Sequence, residues 1–208
     1  MTVSAAFLVL DPPVDRLAML LECIRPVVSD VVIVVDDRTR PEAVETMSTW
    51  RDVTLVPFRW VDDFAAARNA ALPHCAGDWV LHLDPDEMPT AAMIDFIRTV
   101  DASPWADVAW QGAIYPAPRG YLFFTKSFYD GRQAEEWEEH WHTRLFRRDV
   151  GRWYKPVHEQ VALEGRPEDD TRGTPKLPKA PRAAFLVHSR MNDRAKDEQY
   201  AALSAVTA

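Results

Sequence analysis

The sequence predicts an α/β fold with a mostly parallel central sheet, and two observations carry that prediction. Through the first hundred residues, apolar runs of strand length alternate with stretches of helical periodicity. This is the pattern of strands buried on both faces and joined by helices. Three of these runs end on a carboxylate, at Asp11, Asp36 and Asp84. Parallel sheets bind ligands beyond the carboxyl ends of their strands, so the three acids place a site there.

Each element follows from its residues. Ala5 to Leu10 is a continuous apolar strand, and Asp11-Pro12-Pro13 breaks it and opens a helix. In that helix Leu17, Leu20, Leu21 and Ile24 recur on one face until Pro26 stops it. Val31 to Val35 forms a second strand ending at Asp36-Asp37, Pro41 to Trp50 a short helix, and Val53 to Pro57 a third strand. Asp63 caps an alanine-rich helix, and Val80 to Leu83 is a fourth strand closing on Asp84-Pro85-Asp86-Glu87. A helix begins near Thr90. The second half differs in character: residues 105–154 hold 13 of the chain's 22 aromatics. Four prolines among charged residues between 165 and 182 read as a mobile loop. Ala183 to Val187 is a last apolar strand, followed by a polar helix over 192–205.

Bulk properties bound the function. The 208 residues, 47% apolar and 27% charged, suit one globular domain with a large core. A net charge of −8 excludes bulk attraction to nucleic acid or anionic lipid and leaves room for a local anion site. Cys23 and Cys75 have no metal-ligand spacing and are expected to be reduced core thiols. The sequence has no run of about 20 apolar residues able to cross a bilayer. Its N-terminus lacks a basic segment and cleavage site, so a cytoplasmic location is expected.

The acidic turn carries the chemistry. Side chains alternate along a strand, so Asp84 and Asp86 are expected to point the same way and repel each other unless a cation or donors intervene. Oxygen ligands of this kind suit Mg²⁺ or Mn²⁺ shared with substrate phosphates. A solvated acidic turn capping the next helix accounts for the same four residues.

The preceding residues add to this reading. Trp60-Val61-Asp62-Asp63-Phe64-Ala65-Ala66-Ala67-Arg68-Asn69 and Ala76-Gly77-Asp78-Trp79-Val80-Leu81-His82-Leu83-Asp84-Pro85-Asp86-Glu87 follow in order. The chain here resembles the family 2 nucleotide-sugar glycosyltransferases of the GT-A fold. The resemblance implies a single Rossmann-like domain over 1–208. Residues 1–100 would be its nucleotide-binding half and 101–208 its acceptor and catalytic half. His142 to Arg148 and Tyr154 to Glu159 resemble further segments of the same family.

The resemblance implies roles residue by residue. Asp11 and Asp36 would line the nucleotide pocket, although Asp11-Pro12-Pro13 and Asp36-Asp37-Arg38 depart from the family's usual Asn-Glu and Gly-Ser sequences. Arg68 and Asn69 would face the diphosphate, with a buried pairing of Arg68 to Asp84 or Asp63 as the structural alternative. Asp84 would contact ribose or cation, Asp86 would ligate the cation, and Glu87 would support them. Arg144 and Arg147 would bind substrate. His188 would complete the metal site, or else serve structure alone. Glu159 is the candidate base that takes the acceptor proton, with a surface Glu beside a core His as the alternative.

These expectations amount to an inverting glycosyltransferase that uses Mn²⁺ or Mg²⁺ and a nucleotide-diphospho-sugar, UDP-linked in the commonest case. The sequence leaves the acceptor open. Two other functions share the features: a nucleotidyltransferase, which normally carries a Gly-rich basic loop where this chain has Asp11-Pro12-Pro13, and a non-catalytic nucleotide-sugar-binding module.

Overall fold

Apolar side chains on both faces make β1 (Val3–Val9) a central strand, with every residue but Leu8 buried. The computed structural model describes residues 2–102, 108–110, 113–115, 119–129, 132–133, 140–163, 166–167 and 179–190. The chain continues through α1 (Val14–Ile24), β2 (Asp30–Asp36), α2 (Pro41–Ser48), β3 (Val53–Phe58), α3 (Phe64–Ala71) and β4 (Trp79–His82). Next come β5 (Glu87–Pro89), α4 (Ala91–Ala102), the hairpin of β6 (Val108–Trp110) and β7 (Ala113–Tyr115), β8 (Gly120–Tyr129) and β9 (Arg132–Gln133). The last described strands are β10 (His140–Arg147), β11 (Gly151–Tyr154), β12 (Gln160–Leu163), β13 (Arg166–Pro167) and β14 (Phe185–Arg190).

The main sheet has the order β3-β2-β1-β4-β10-β8-β14-β5, with β9 added to β8. Strands β1, β2, β3, β4, β8 and β14 run one way, and β5, β9 and β10 oppose them. The predicted mostly parallel α/β sheet is therefore present. The four residues after β4 lead to β5 at the far edge of this order, and they start at the carboxyl end of β4 beside the amino end of the antiparallel β10. Helices α1 and α4 cover one face, where Leu17, Leu20 and Phe96 pack with Trp79, Leu81 and Tyr121. Helix α3 covers the other, packing Ala65, Ala71 and Trp153 of β11 against Val32, Val80 and Phe146.

Local chemistry sets the joints. The four apolar positions read from the sequence, Leu17, Leu20, Leu21 and Ile24, are the buried stripe of α1. Asp63 caps α3 by accepting from the Ala66 amide at 2.9 Å. Gly77 lets the turn before β4 press on β1, since a Cβ there would lie 2.5 Å from the Ser4 nitrogen. Strand β10 bulges between Thr143 and Leu145, where the register against β8 shifts and Arg144 is the extra residue.

Some expectations change. Cys75 is buried, and burial pushes its thiol up to about 12, but Cys23 is exposed and so is no core thiol. The last strand begins later and runs further than the apolar run alone indicated. Most of the expected loop between 165 and 182, and the expected helix over 192–205, lie outside the described residues. Among the described residues no helix is long and apolar enough to cross a membrane.

Candidate active site

Strand β4 stops at His82, so Asp84 and Asp86 do not alternate on a strand as the sequence indicated. They sit in a tight turn: the Glu87 amide donates to the Asp84 carbonyl at 3.0 Å, with Pro85 at the position its fixed φ favours. The Glu87 carboxylate folds back and accepts from the Asp84 amide at 3.0 Å. The turn sends the two aspartates to different partners. Asp84 accepts from Arg68 at 3.1 Å and Arg144 at 3.4 Å, while Asp86 lies 3.0 Å from the Nε2 of His188, within β14. Arg16 of α1 secures the turn from below by donating to the Asp86 carbonyl at 2.7 Å.

A charged cluster lies beneath the turn. The Arg144 Nη2 donates to Glu87 at 2.5 Å, and both side chains are buried. The bulge in β10 frees Arg144 from strict alternation so that it can reach this turn. Burial pushes Glu87 up to about 7, against the pull of Arg144 and helped by the charge of Asp84. The Arg144 Nε is buried without a hydrogen-bond partner among the described residues. His82, 2% exposed, is held well below its ordinary pKa by burial and then by the charge of Arg68, so it is neutral. Its Nε2 contacts Arg68 Nη1, and its ring meets Trp153 edge-on at 4.9 Å.

Arg68 joins this cluster to Glu159. Its Nε and Nη2 donate to the Glu159 carboxylate at 2.6 and 2.5 Å, and its guanidinium lies 5.2 Å from the Trp153 ring centroid. Glu159 is 7% exposed, which makes it neither a surface residue nor one turned to solvent. It stands at the end of the connection between β11 and β12, where Lys155 and His158 adopt left-handed backbone angles with φ of 71° and 54°. Such angles on residues other than glycine persist where surrounding contacts impose them. Here the Pro156 carbonyl accepts from the Phe64 amide at 2.9 Å, docking the connection onto the start of α3.

Other expected site residues take different places. Asn69 does not face the acidic turn: its amide donates to the Trp153 carbonyl at 2.8 Å and accepts from the Trp153 amide at 2.9 Å, tying α3 to β11. Arg147 is also displaced, because β10 runs antiparallel to β4 and sets Arg147 opposite Trp79, at the amino end of β4. There it pairs with Asp149 at 2.5 Å. Asp11 and Asp36 do lie at the carboxyl ends of β1 and β2. Asp11 accepts from Arg40 at 2.6 Å, which holds its carboxyl below the usual range. Burial alone would raise Asp36, but the side-chain and backbone hydrogen bonds of Arg38 outweigh it and lower the pKa.

Sequence reasoning missed Arg16, Arg38 and His82 as parts of the site. A histidine inside the apolar run of β4 was the one available signal. Among the described residues no three His, Cys, Asp or Glu side chains converge as a complete metal cage. The donor set that fits a cation is Asp86 with His188: a carboxylate and an imidazole can hold Mn²⁺ or Mg²⁺ when phosphate oxygens supply further ligands.

The comparisons with known proteins agree with this frame. The chain is similar in fold to the Staphylococcus aureus protein TarS, solved with UDP-GlcNAc, at TM-score 0.59 and 12% identity, covering 92% of this chain and 59% of that one. It is also similar to glucosyl-3-phosphoglycerate synthase from Mycobacterium tuberculosis, solved with Mn²⁺, UDP and phosphoglyceric acid. That match has TM-score 0.52 and 12% identity, covering 98% of this chain and 76% of that one. A TPR repeat-containing protein of Synechococcus elongatus is 37% identical over 75 residues, 35% of this chain; the chain spans 18% of that relative's length. Residues 14–154 match the family model described as Glycosyl transferase family 2, and the chain belongs to that family.

Proposed function

We propose that the protein transfers one sugar, with inversion, from a UDP-linked donor to an acceptor hydroxyl in a cation-dependent reaction. The observation that carries this reading is the meeting of Asp86 and His188, 102 positions apart in sequence, at 3.0 Å on the carboxyl edge of a family 2 sheet. The UDP ligands of the two similar structures, and the Mn²⁺ of one, support the choice of donor and cofactor. The buried Arg144 Nε, without a hydrogen-bond partner among the described residues, is a donor suited to an anion such as a diphosphate.

Asp86 and His188 would hold the cation, which when bound offsets charge on the departing diphosphate. The remaining work belongs to the chain. Arg68 and Arg144 hold the acidic turn in place and keep positive charge beside the phosphates. Glu159, aimed by Arg68, takes the acceptor proton. The acceptor oxygen then forms a bond to the anomeric carbon while that carbon's bond to the phosphate oxygen breaks, and the electron pair leaves with UDP.

UDP release from UDP-sugars, measured with Mn²⁺ and with a chelator, tests the reading. Wild type should turn over with Mn²⁺ alone, and Asp86→Asn should lose that stimulation with its fold intact. Glu159→Gln should bind UDP normally and transfer about 10²–10⁴-fold more slowly. Cation-dependent UDP binding without turnover of any donor would identify a binding module instead.

A further inference from the structure

We propose that His82 is a positioning residue for the transfer step: its Nε2 lone pair holds one terminal nitrogen of Arg68, which leaves the other edge of the guanidinium to aim Glu159. The inference rests on the reading of Glu159 as the base. It gives a task to a buried group that the proposed reaction otherwise leaves unused.

Strand geometry brings the pair together. Side chains alternate along β4, so Trp79 and Leu81 enter the core on the α1 and α4 side, while Val80 packs on the α3 side. His82 shares the face of Val80 and meets Arg68 of α3 there. The parallel ladder fixes its backbone, with His82 opposite Ala6 of β1. Both side chains are buried, His82 at 2% and Arg68 at 7% exposure. At that depth an arginine N–H left without an acceptor is costly.

Arg68 faces two carboxylates, and they compete for its fork. Its Nε and Nη2 form the side-on fork to Glu159. Its Nη1 donates to Asp84 at 3.1 Å and contacts His82 Nε2. Without the imidazole, the guanidinium is free to turn and give Asp84 an end-on fork through Nη1 and Nη2, at the expense of Glu159. A guanidinium only donates, so Nε2 must accept and His82 must carry its proton on Nδ1. A proton on Nε2 would face a second donor, and an imidazolium would set like charge against Arg68. Burial and the charge of Arg68 both favour the neutral ring. Trp153 closes the assembly, edge-on to His82 at 4.9 Å and 5.2 Å from the Arg68 guanidinium, so neither group swings away without moving the indole.

Two variants and one spectrum test this. His82→Phe keeps a ring against Trp153 and removes the acceptor. It should lower kcat for UDP release from a UDP-sugar by about 10²-fold, the cost of a misaimed group, with little change in KM. His82→Gln sets an amide oxygen near the place of Nε2 and should recover most of that loss. Nitrogen-15 NMR of the wild-type protein should show a neutral His82 with its proton on Nδ1, the signal being identified by its absence from His82→Gln. The Arg68 Nε–H should exchange slowly in wild type and His82→Gln and quickly in His82→Phe. Wild-type kcat in His82→Phe overturns the inference, and so does a His82→Gln variant as slow as His82→Phe, because ring shape would then matter and not the lone pair. A proton on Nε2 also overturns it, and this holds even if His82→Phe fails to fold. Full rate in Glu159→Gln overturns the base reading instead, and the His82 and Arg68 signals would then stay as described.

Discussion

Asp36 and Arg38 show how one ion pair at the carboxyl end of β2 can set acid stability. A carboxylate whose folded pKa lies below its ordinary 3.8 binds fewer protons folded than unfolded. Its contribution is therefore fully present above the ordinary pKa and is lost as pH falls through the lowered value. Arg38→Ala removes the side-chain donors that lower it and leaves mainly the backbone amide of residue 38 to offset the burial that raises it. The acid-unfolding midpoint, followed by circular dichroism, should therefore move to higher pH in this variant; an unchanged midpoint would show that the fork contributes nothing. At this scale the sequence was legible where side-chain chemistry and chain order agree. Asp86 and His188 stood out as cation ligands by type and by family pattern, and the fold sets them 3.0 Å apart. Arg147 shared a motif with Arg144 but not a location, because three further residues along an antiparallel strand carry it away from the carboxyl edge. Arg16 and Arg38 gave no signal, since an arginine in a helix or after a strand reads as a solvated charge until its partner is known.

Elements decide whether those residues hold their places, and the clearest joint is Asn69 between α3 and β11. One amide satisfies both the carbonyl and the N–H of Trp153, so the β11–β12 connection bearing Glu159 is anchored to the helix bearing Arg68. Asn69→Asp keeps the shape but turns the donor into an acceptor facing the Trp153 carbonyl. It should cost about 1–3 kcal/mol in chemical denaturation and lower transfer rate while UDP affinity holds. A variant as stable as wild type would show that the other contacts of the connection suffice. The Asp63 cap and the α1 stripe were readable because each depends on residues within a few positions. The end of β4 was misread because Leu83 prolongs the apolar run, yet the Asp84–Glu87 hydrogen bonds take the backbone out of the strand. The bulge at Arg144 could not be read at all, since it exists only in the register of β10 against β8.

At the scale of the molecule, the parallel half was legible and the assembly of the second half was not. Consecutive strands joined by helices follow a short list of allowed connections, which is why β1 to β4 could be placed in order. The aromatic content between 105 and 154 says that something is buried there, but not that β14 enters between β8 and β5. That insertion brings His188 to Asp86 and makes the proposed cation site a property of the whole sheet. The site should therefore report on global stability. A ligand that binds only the folded state raises stability with its concentration, by about 2.7 kcal/mol at a hundred times its dissociation constant. Since Asp86 and His188 supply only two donors, Mn²⁺ or UDP alone should raise Tm slightly, and both together by more than the sum. Asp86→Asn and His188→Ala should each abolish that excess while leaving the shift with UDP alone. Purely additive shifts in the wild-type protein would mean that the cation and the diphosphate do not share a site, and the pairing of Asp86 with His188 would then serve only to hold β14 against the turn.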